Sequence, residues 1–191
     1  LSLKKYRTVK GFGSEEIKIR RSRFISYVNP VDTERDAIKF IDGIKEKHSD
    51  ATHNVFAYIV YEKGNVEIYK FSDDREPPGT AGKPILEILK NENLLNSVIV
   101  VTRYFGGTLL GKGGLVRAYS QSAQLGIQKA GIVCNKLHYI CQLITDYSSI
   151  GKVENEIISM NHIIDNISYV ENVILKVFVK YDEIKDFRKS M

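Results

Sequence analysis

Hydrophobic and polar residues alternate from Glu16 through Arg20, a period of two that predicts a strand, and a second strand-like run follows in Arg23-Phe24-Ile25-Ser26-Tyr27-Val28. Between residues 33 and 47 the period lengthens. Ala37, Ile38, Phe40, Ile41 and Ile44 form a helical stripe behind Asp32 or Thr33 as N-cap. Residues 55–61 and 66–71 are β-rich runs separated by Glu62-Lys63-Gly64-Asn65, which predicts a β-hairpin with a short Gly-containing turn. Pro84 suits the first turn of a helix reaching residue 89 or 90. Residues 98–102 read as strand, and residues 115–129 as a helix with Val116, Tyr119, Ala123, Ile127 and Ala130 on one side.

The pattern restarts near residue 136. Residues 137–144 read as strand, 150–160 as helix, 163–170 and 173–181 as strands, and 182–189 as the start of another helix. The expected division is therefore residues 1–134 and 135–191. No repeat, low-complexity tract or long linker interrupts either part.

Composition changes this picture little. A chain of 191 residues with 43% hydrophobic and 27% charged positions is that of an ordinary globular protein. The net charge of +5, from 28 Lys and Arg against 23 Asp and Glu, fits acidic partners such as nucleic acid without demanding them. Cys134 and Cys141 form no disulfide framework and have no metal-ligand spacing; Cys141, inside a predicted strand, reads as a buried thiol. The start of the chain lacks a signal-peptide apolar core and no stretch is long enough to span a bilayer, so a cytoplasmic location and no membrane contact are expected.

Glycine is where chemistry first shows. The run Arg103-Tyr104-Phe105-Gly106-Gly107-Thr108-Leu109-Leu110-Gly111-Lys112-Gly113-Gly114 lies between a predicted strand and a predicted helix. Five glycines there carry an entropic cost on folding, and the return is a backbone free to approach a ligand. A strand, a Gly-rich turn and a helix N-terminus aim N–H groups and the positive end of a dipole at one spot, which suits phosphate. Gly106-x-x-x-x-Gly111-Lys112 has Walker A spacing, but Gly113 stands where Ser or Thr would hold magnesium, so nucleotide hydrolysis is not expected. Backbone capture of phosphate needs only N–H groups and a nearby cation, which Arg103, Lys112 and Arg117 would supply. Tyr104 and Phe105 add aromatic faces of the kind single-stranded nucleic acid stacks on, although at a strand end one of the two faces the core.

The stretch Ser72-Asp73-Asp74-Arg75-Glu76-Pro77-Pro78-Gly79-Thr80-Ala81-Gly82-Lys83-Pro84 is too polar for core and too rich in Pro and Gly for helix or strand. Asp73, Asp74 and Glu76 would gather a hard cation through oxygen ligands, or simply form a solvated turn; their spacing fits no dedicated cation loop. Gly79, Gly82 and Lys83 precede Pro84 at a helix start, which makes this a second potential anion cradle. His53, just before a strand, is a weak acid–base candidate, and a hydrogen-bonded structural role suits it better. No Ser/His/Asp or Cys/His set stands out.

Gly82-x-x-Ile85-Leu86-x-x-Leu89, then Leu94, then Val100-Val101-x-Arg103-Tyr104-Phe105-Gly106-Gly107-x-x-Leu110-Gly111 resembles the signature of the Impact/YigZ family, as do residues 72–84 and Glu16-Ile17-Lys18-x-x-Arg21-Ser22-Arg23-Phe24-Ile25. The resemblance covers most of residues 16–130. It implies an α+β protein of two domains: an N-terminal domain similar to domain 2 of ribosomal protein S5, and a ferredoxin-like C-terminal domain similar to domain V of elongation factor G. The order strand, helix, strand, strand, helix after residue 137 agrees with the second and lacks its closing strand, so an incomplete C-terminal domain is expected. Eukaryotic relatives resemble regulators that compete for an activator of a starvation-responsive translation kinase, through a separate N-terminal domain for which this chain has no counterpart. That partner contact is accordingly not expected.

The leading expectation is a non-enzymatic regulatory protein linked to translation, using no cofactor and no metal, that meets RNA or the ribosome through Arg75, Lys83, Arg103, Lys112 and Arg117 around the two Gly-rich loops. The alternative is an enzyme on a phosphorylated small molecule, with Asp73, Asp74, Glu76 and His53 as acids, bases or metal ligands; a single pocket at Gly111 with two or more of these side chains converging on it would favour that reading. A third is a protein-interaction module, marked by an apolar patch without a cationic cleft.

Overall fold

The computed structural model describes residues 3–62 and 66–191. The expected hairpin turn at Lys63, Gly64 and Asn65, and the first two residues, lie outside them. The chain divides into two compact units, one spanning Tyr6–Asn135 and the other Lys136–Met191 together with Leu3–Lys5.

Apart from Lys5 and Lys136 at the ends of its first and last strands, the first unit contains β1 (Lys5–Val9), β2 (Gly13–Ile19), β3 (Ser22–Pro30), α1 (Glu34–Lys47), β4 (His53–Glu62), β5 (Val66–Ser72), α2 (Gly82–Asn91), β6 (Ser97–Tyr104), α3 (Lys112–Ala130) and β7 (Ile132–Lys136). Its main sheet is antiparallel in the order β2-β3-β6-β4-β5. β6 is central and reads Val98-Ile99-Val100-Val101, apolar on both faces, because helices cover both. Ile99 and Val101 pack with β4's Val55, Ala57 and Ile59 against α2 and α3. Val98 and Val100 pack with Tyr58 and Val60 against α1. The two-residue period extends this sorting past the apolar run: Arg103 falls on the α3 face and Tyr104 on the α1 face. β1 and β7 pair in a separate two-stranded ribbon, and neither strand shows in the sequence pattern.

Both long helices differ from their expected stripes. α3 starts three residues before the expected Leu115, taking in Gly113 and Gly114, and Val116 is exposed while Leu115, Ala118 and Ser122 are buried. In α1, Ile38 is exposed and Ala37, Ile41 and Ile44 face the sheet.

The second unit runs β8 (His138–Thr145), α4 (Ile150–Ser159), β9 (Ile163–Tyr169), β10 (Val173–Lys180), a 3-10 turn (Tyr181–Glu183) and α5 (Ile184–Ser190). Its antiparallel sheet has the order β8-β10-β9. The inward row of β10 (Val173, Leu175, Val177 and Val179) packs with Ile157 of α4 and Phe187 of α5. Cys141 is half-buried against this core, and Cys134 is exposed on β7.

Candidate functional site

Register builds the floor of the site. His53 at the start of β4 lies directly opposite Arg103 near the end of β6, and Arg103 lies opposite Phe24 of β3. All three face α3. The loop from Asp73 to Ala81 then delivers Glu76 to the same face, turning through Asp74 and Arg75, both in the left-handed backbone region at φ 41° and 68°. For residues with a Cβ that conformation is costly, and the loop's own hydrogen bonds hold it. Asp74 Oδ2 accepts from the Asn54 N–H at 2.6 Å, and its carbonyl accepts from His53 Nδ1–H at 2.8 Å.

Glu76 is buried, with 3% of its side chain exposed, against 5% for Arg103. Arg103 Nη1 donates to Glu76 Oε1 at 2.6 Å, and the Tyr119 hydroxyl of α3 donates to the same oxygen at 2.7 Å. Burial, and then the Glu76 charge beside it, push the Tyr119 hydroxyl far above the ordinary tyrosine range, so it stays a proton donor. The Arg103 guanidinium lies 5.3 Å from the centre of the Phe24 ring and 5.4 Å from that of Phe105, and its Nη2 donates to Ser22 Oγ at 3.3 Å. The Asp74 carbonyl only accepts, which fixes the proton on His53 Nδ1 and leaves Nε2 turned toward Glu76 Oε1, 3.6 Å away.

Above this floor opens a cavity of about 390 Å³. His53, Glu76 and Arg103 line it together with Thr52, Pro77, Phe105, Leu109, Leu110, Leu115, Gly111 and Lys112. Gly111, at φ 71°, is the N-cap of α3 and supplies no capping side chain, and among the described residues no side chain accepts from the first-turn N–H groups. The cavity is thus mostly apolar, with buried charge at its floor and an uncapped helix terminus and Lys112 at its rim. A larger depression of about 620 Å³ beside α1, lined by Asp32, Asp36, Lys39 and Phe40 among others, holds no buried charge.

Several expected site residues lie elsewhere. The second anion cradle is already filled: Asp73 Oδ1 accepts from the N–H groups of Ala81 and Gly82 at 3.0 and 2.8 Å, and Oδ2 from Gly79 at 2.9 Å. The chain's own carboxylate occupies the place expected for a phosphate. Asp73, Asp74 and Glu76 therefore do not form a cation site; they point to the α2 terminus, the β4 backbone and Arg103 respectively. Among the described residues no group of three or more His, Cys, Asp or Glu side chains gathers to hold a metal ion. Arg103 is likewise no surface cation, because Glu76 holds its guanidinium in the interior. Tyr104 is on the α1 face, where its hydroxyl donates to Asp50 Oδ1 at 2.9 Å and lies 2.9 Å from His48 Nδ1, so it offers the cavity nothing. Gly106 serves packing: a Cβ there would sit 2.1 Å from the Arg21 carbonyl. Gly107 is exposed beside it, and Gly113 and Gly114 form the first turn of α3. Arg75, Lys83 and Arg117 are exposed and do not line the cavity. Tyr119, which the helical stripe marks only as core, instead holds Glu76 in place beneath the cavity. Its signal was a hydroxyl on a buried stripe, which must find a partner.

A two-unit α+β protein with a polar-floored cavity at a glycine-capped helix is the class this geometry defines. The model for the Impact N-terminal domain matches residues 20–127, and that for a domain of unknown function, DUF1949, matches residues 143–191. The chain is 45% identical over 189 residues to the IMPACT family member YvyE of Bacillus subtilis, covering 99% of this chain and 86% of that one. It is 31% identical over 174 residues to the IMPACT family member YigZ of Escherichia coli, covering 91% and 85%. A crystal structure described as a hypothetical protein superposes with a TM-score of 0.67 at 28% identity, covering 97% of this chain and 90% of that one. The chain belongs to the IMPACT family. No helix among the described residues is long and apolar enough to cross a membrane.

Proposed function

We propose that this chain is a cytoplasmic regulatory protein linked to translation, and that its N-terminal unit binds RNA phosphate at the first turn of α3. Family membership supports the link to translation. The observation that carries the phosphate site is the uncapped α3 terminus, with Lys112 and the 44% exposed Phe105 on the same cavity. Free N–H groups, a helix dipole and a lysine hold phosphate, and an exposed ring offers a stacking face. Arg75, Lys83 and Arg117, all exposed, extend the positive surface available to a backbone.

Fluorescence anisotropy with a short single-stranded RNA tests this. With some four phosphates neutralised, affinity for a single strand falls roughly fiftyfold between about 50 and about 200 mM salt. Undetectable binding at low salt, or affinity indifferent to salt, contradicts the reading.

One observation favours a second reading, turnover of a phosphorylated small molecule: His53 and Glu76 both line the cavity at Gly111. Release of inorganic phosphate from nucleotide or sugar phosphates, abolished in His53→Ala, would carry it; no release across such a panel rejects it.

A further inference from the structure

Glu76 is only half used. Both hydrogen bonds that it accepts fall on Oε1. Among the described residues Oε2 accepts none, and it is not sealed from the cavity that Glu76 lines. A carboxylate oxygen that opens on a cavity without a protein donor is an acceptor left for solvent, and a ligand N–H or O–H would take the place of that water. At the rim, the first turn of α3 and Lys112 ask for the opposite, an anion. Phe105, Leu109, Leu110 and Pro77 give the space between an apolar surface.

We propose that the cavity receives one unpaired nucleotide: its base enters with an N–H edge on Glu76 Oε2, its flat face meets the apolar wall at Phe105, and its phosphate stays on the first turn of α3 beside Lys112. Charge sets this orientation, since a phosphate at the floor would meet the Glu76 carboxylate. His53 Nε2, with 14% of the side chain exposed, is a second polar contact for base or ribose. The proposal rests on the reading that this unit binds RNA phosphate and specifies which RNA. In a duplex the N–H edges are consumed by pairing and the bases are stacked away, so a paired strand has nothing to place in the cavity.

The full chain is titrated with a labelled single-stranded RNA, the same sequence as a blunt duplex, and guanosine 5′-monophosphate and guanosine as competitors. The single strand is expected to bind roughly tenfold or more tighter than the duplex, the gain of one stacked and bonded base. The monophosphate displaces it and guanosine does not. Glu76→Gln, checked for folding by circular dichroism, weakens single-strand binding and leaves duplex binding unchanged. Phe105→Ala, at an exposed position, is the second variant and has the same expected pattern. Equal, salt-sensitive affinity for single strand and duplex overturns this inference and leaves the phosphate-backbone reading standing. Binding of the monophosphate without any RNA upholds the cavity's ligand and overturns the RNA reading. Binding of neither overturns both.

Discussion

Two helices of the N-terminal unit begin at glycine-rich loops, and they end up in opposite states. At α2, Asp73 reaches back across its own loop and takes the N–H groups of Gly79, Ala81 and Gly82, so the terminus is neutralised from within. At α3, Gly111 has no side chain to cap with, and the nearby carboxylate, Glu76, is turned away to Arg103 and Tyr119. One terminus is closed by the fold's own carboxylate; the other is left open to solvent. A Gly-rich loop before a helix is thus no evidence of a ligand site until the chain's own acids have been traced.

Substitutions break the contrast in order of size. Glu76→Ala has the largest effect, because it leaves the Arg103 guanidinium buried without a counter-charge; unfolding in denaturant is expected to show a loss of about 3–5 kcal/mol. Asp73→Ala uncovers three N–H groups at α2 and costs about 2 kcal/mol, with the α2 terminus acquiring weak anion binding measurable by phosphate titration. Gly113→Asp, at a position where an added Cβ meets nothing within 4 Å, gives α3 the internal carboxylate that α2 has. RNA binding should be lost in anisotropy while stability rises by about 0.3–1 kcal/mol from the dipole. Lys112→Ala leaves stability within about 0.5 kcal/mol and lowers the salt slope of RNA binding by about one. Arg75→Ala is expected to change stability least, since its side chain is 79% exposed and its pairing with Asp74 spans 3.9 Å.

The sequence pattern revealed the sheet and the elements of the second unit, because β6 and β10 carry uninterrupted or alternating apolar runs whose period reports their burial. Arg103 and His53 were readable in part: each extends a two-residue period toward the α3 face, although their pairing depends on a register that one sequence does not state. Glu76 was not readable as a buried residue. It sits among acids and prolines in a polar loop, and its burial follows from a turn through two left-handed residues and from a partner 27 positions away. The capping by Asp73 was hidden for a similar reason, as its acceptor–donor pairs span six to nine residues around a loop. β1 and β7 were missed because each is only five residues long; β7 is mostly exposed and β1 buries just Thr8 and Val9 side by side, which leaves no periodic signal.

The contrast between the two termini is tested most directly by amide chemical shifts during a titration of the full chain with guanosine 5′-monophosphate. Shifts are expected at Lys112, Gly113 and Gly114, with Gly79, Ala81 and Gly82 unmoved. Shifts at the α2 residues, or still amides at the start of α3, would contradict the contrast.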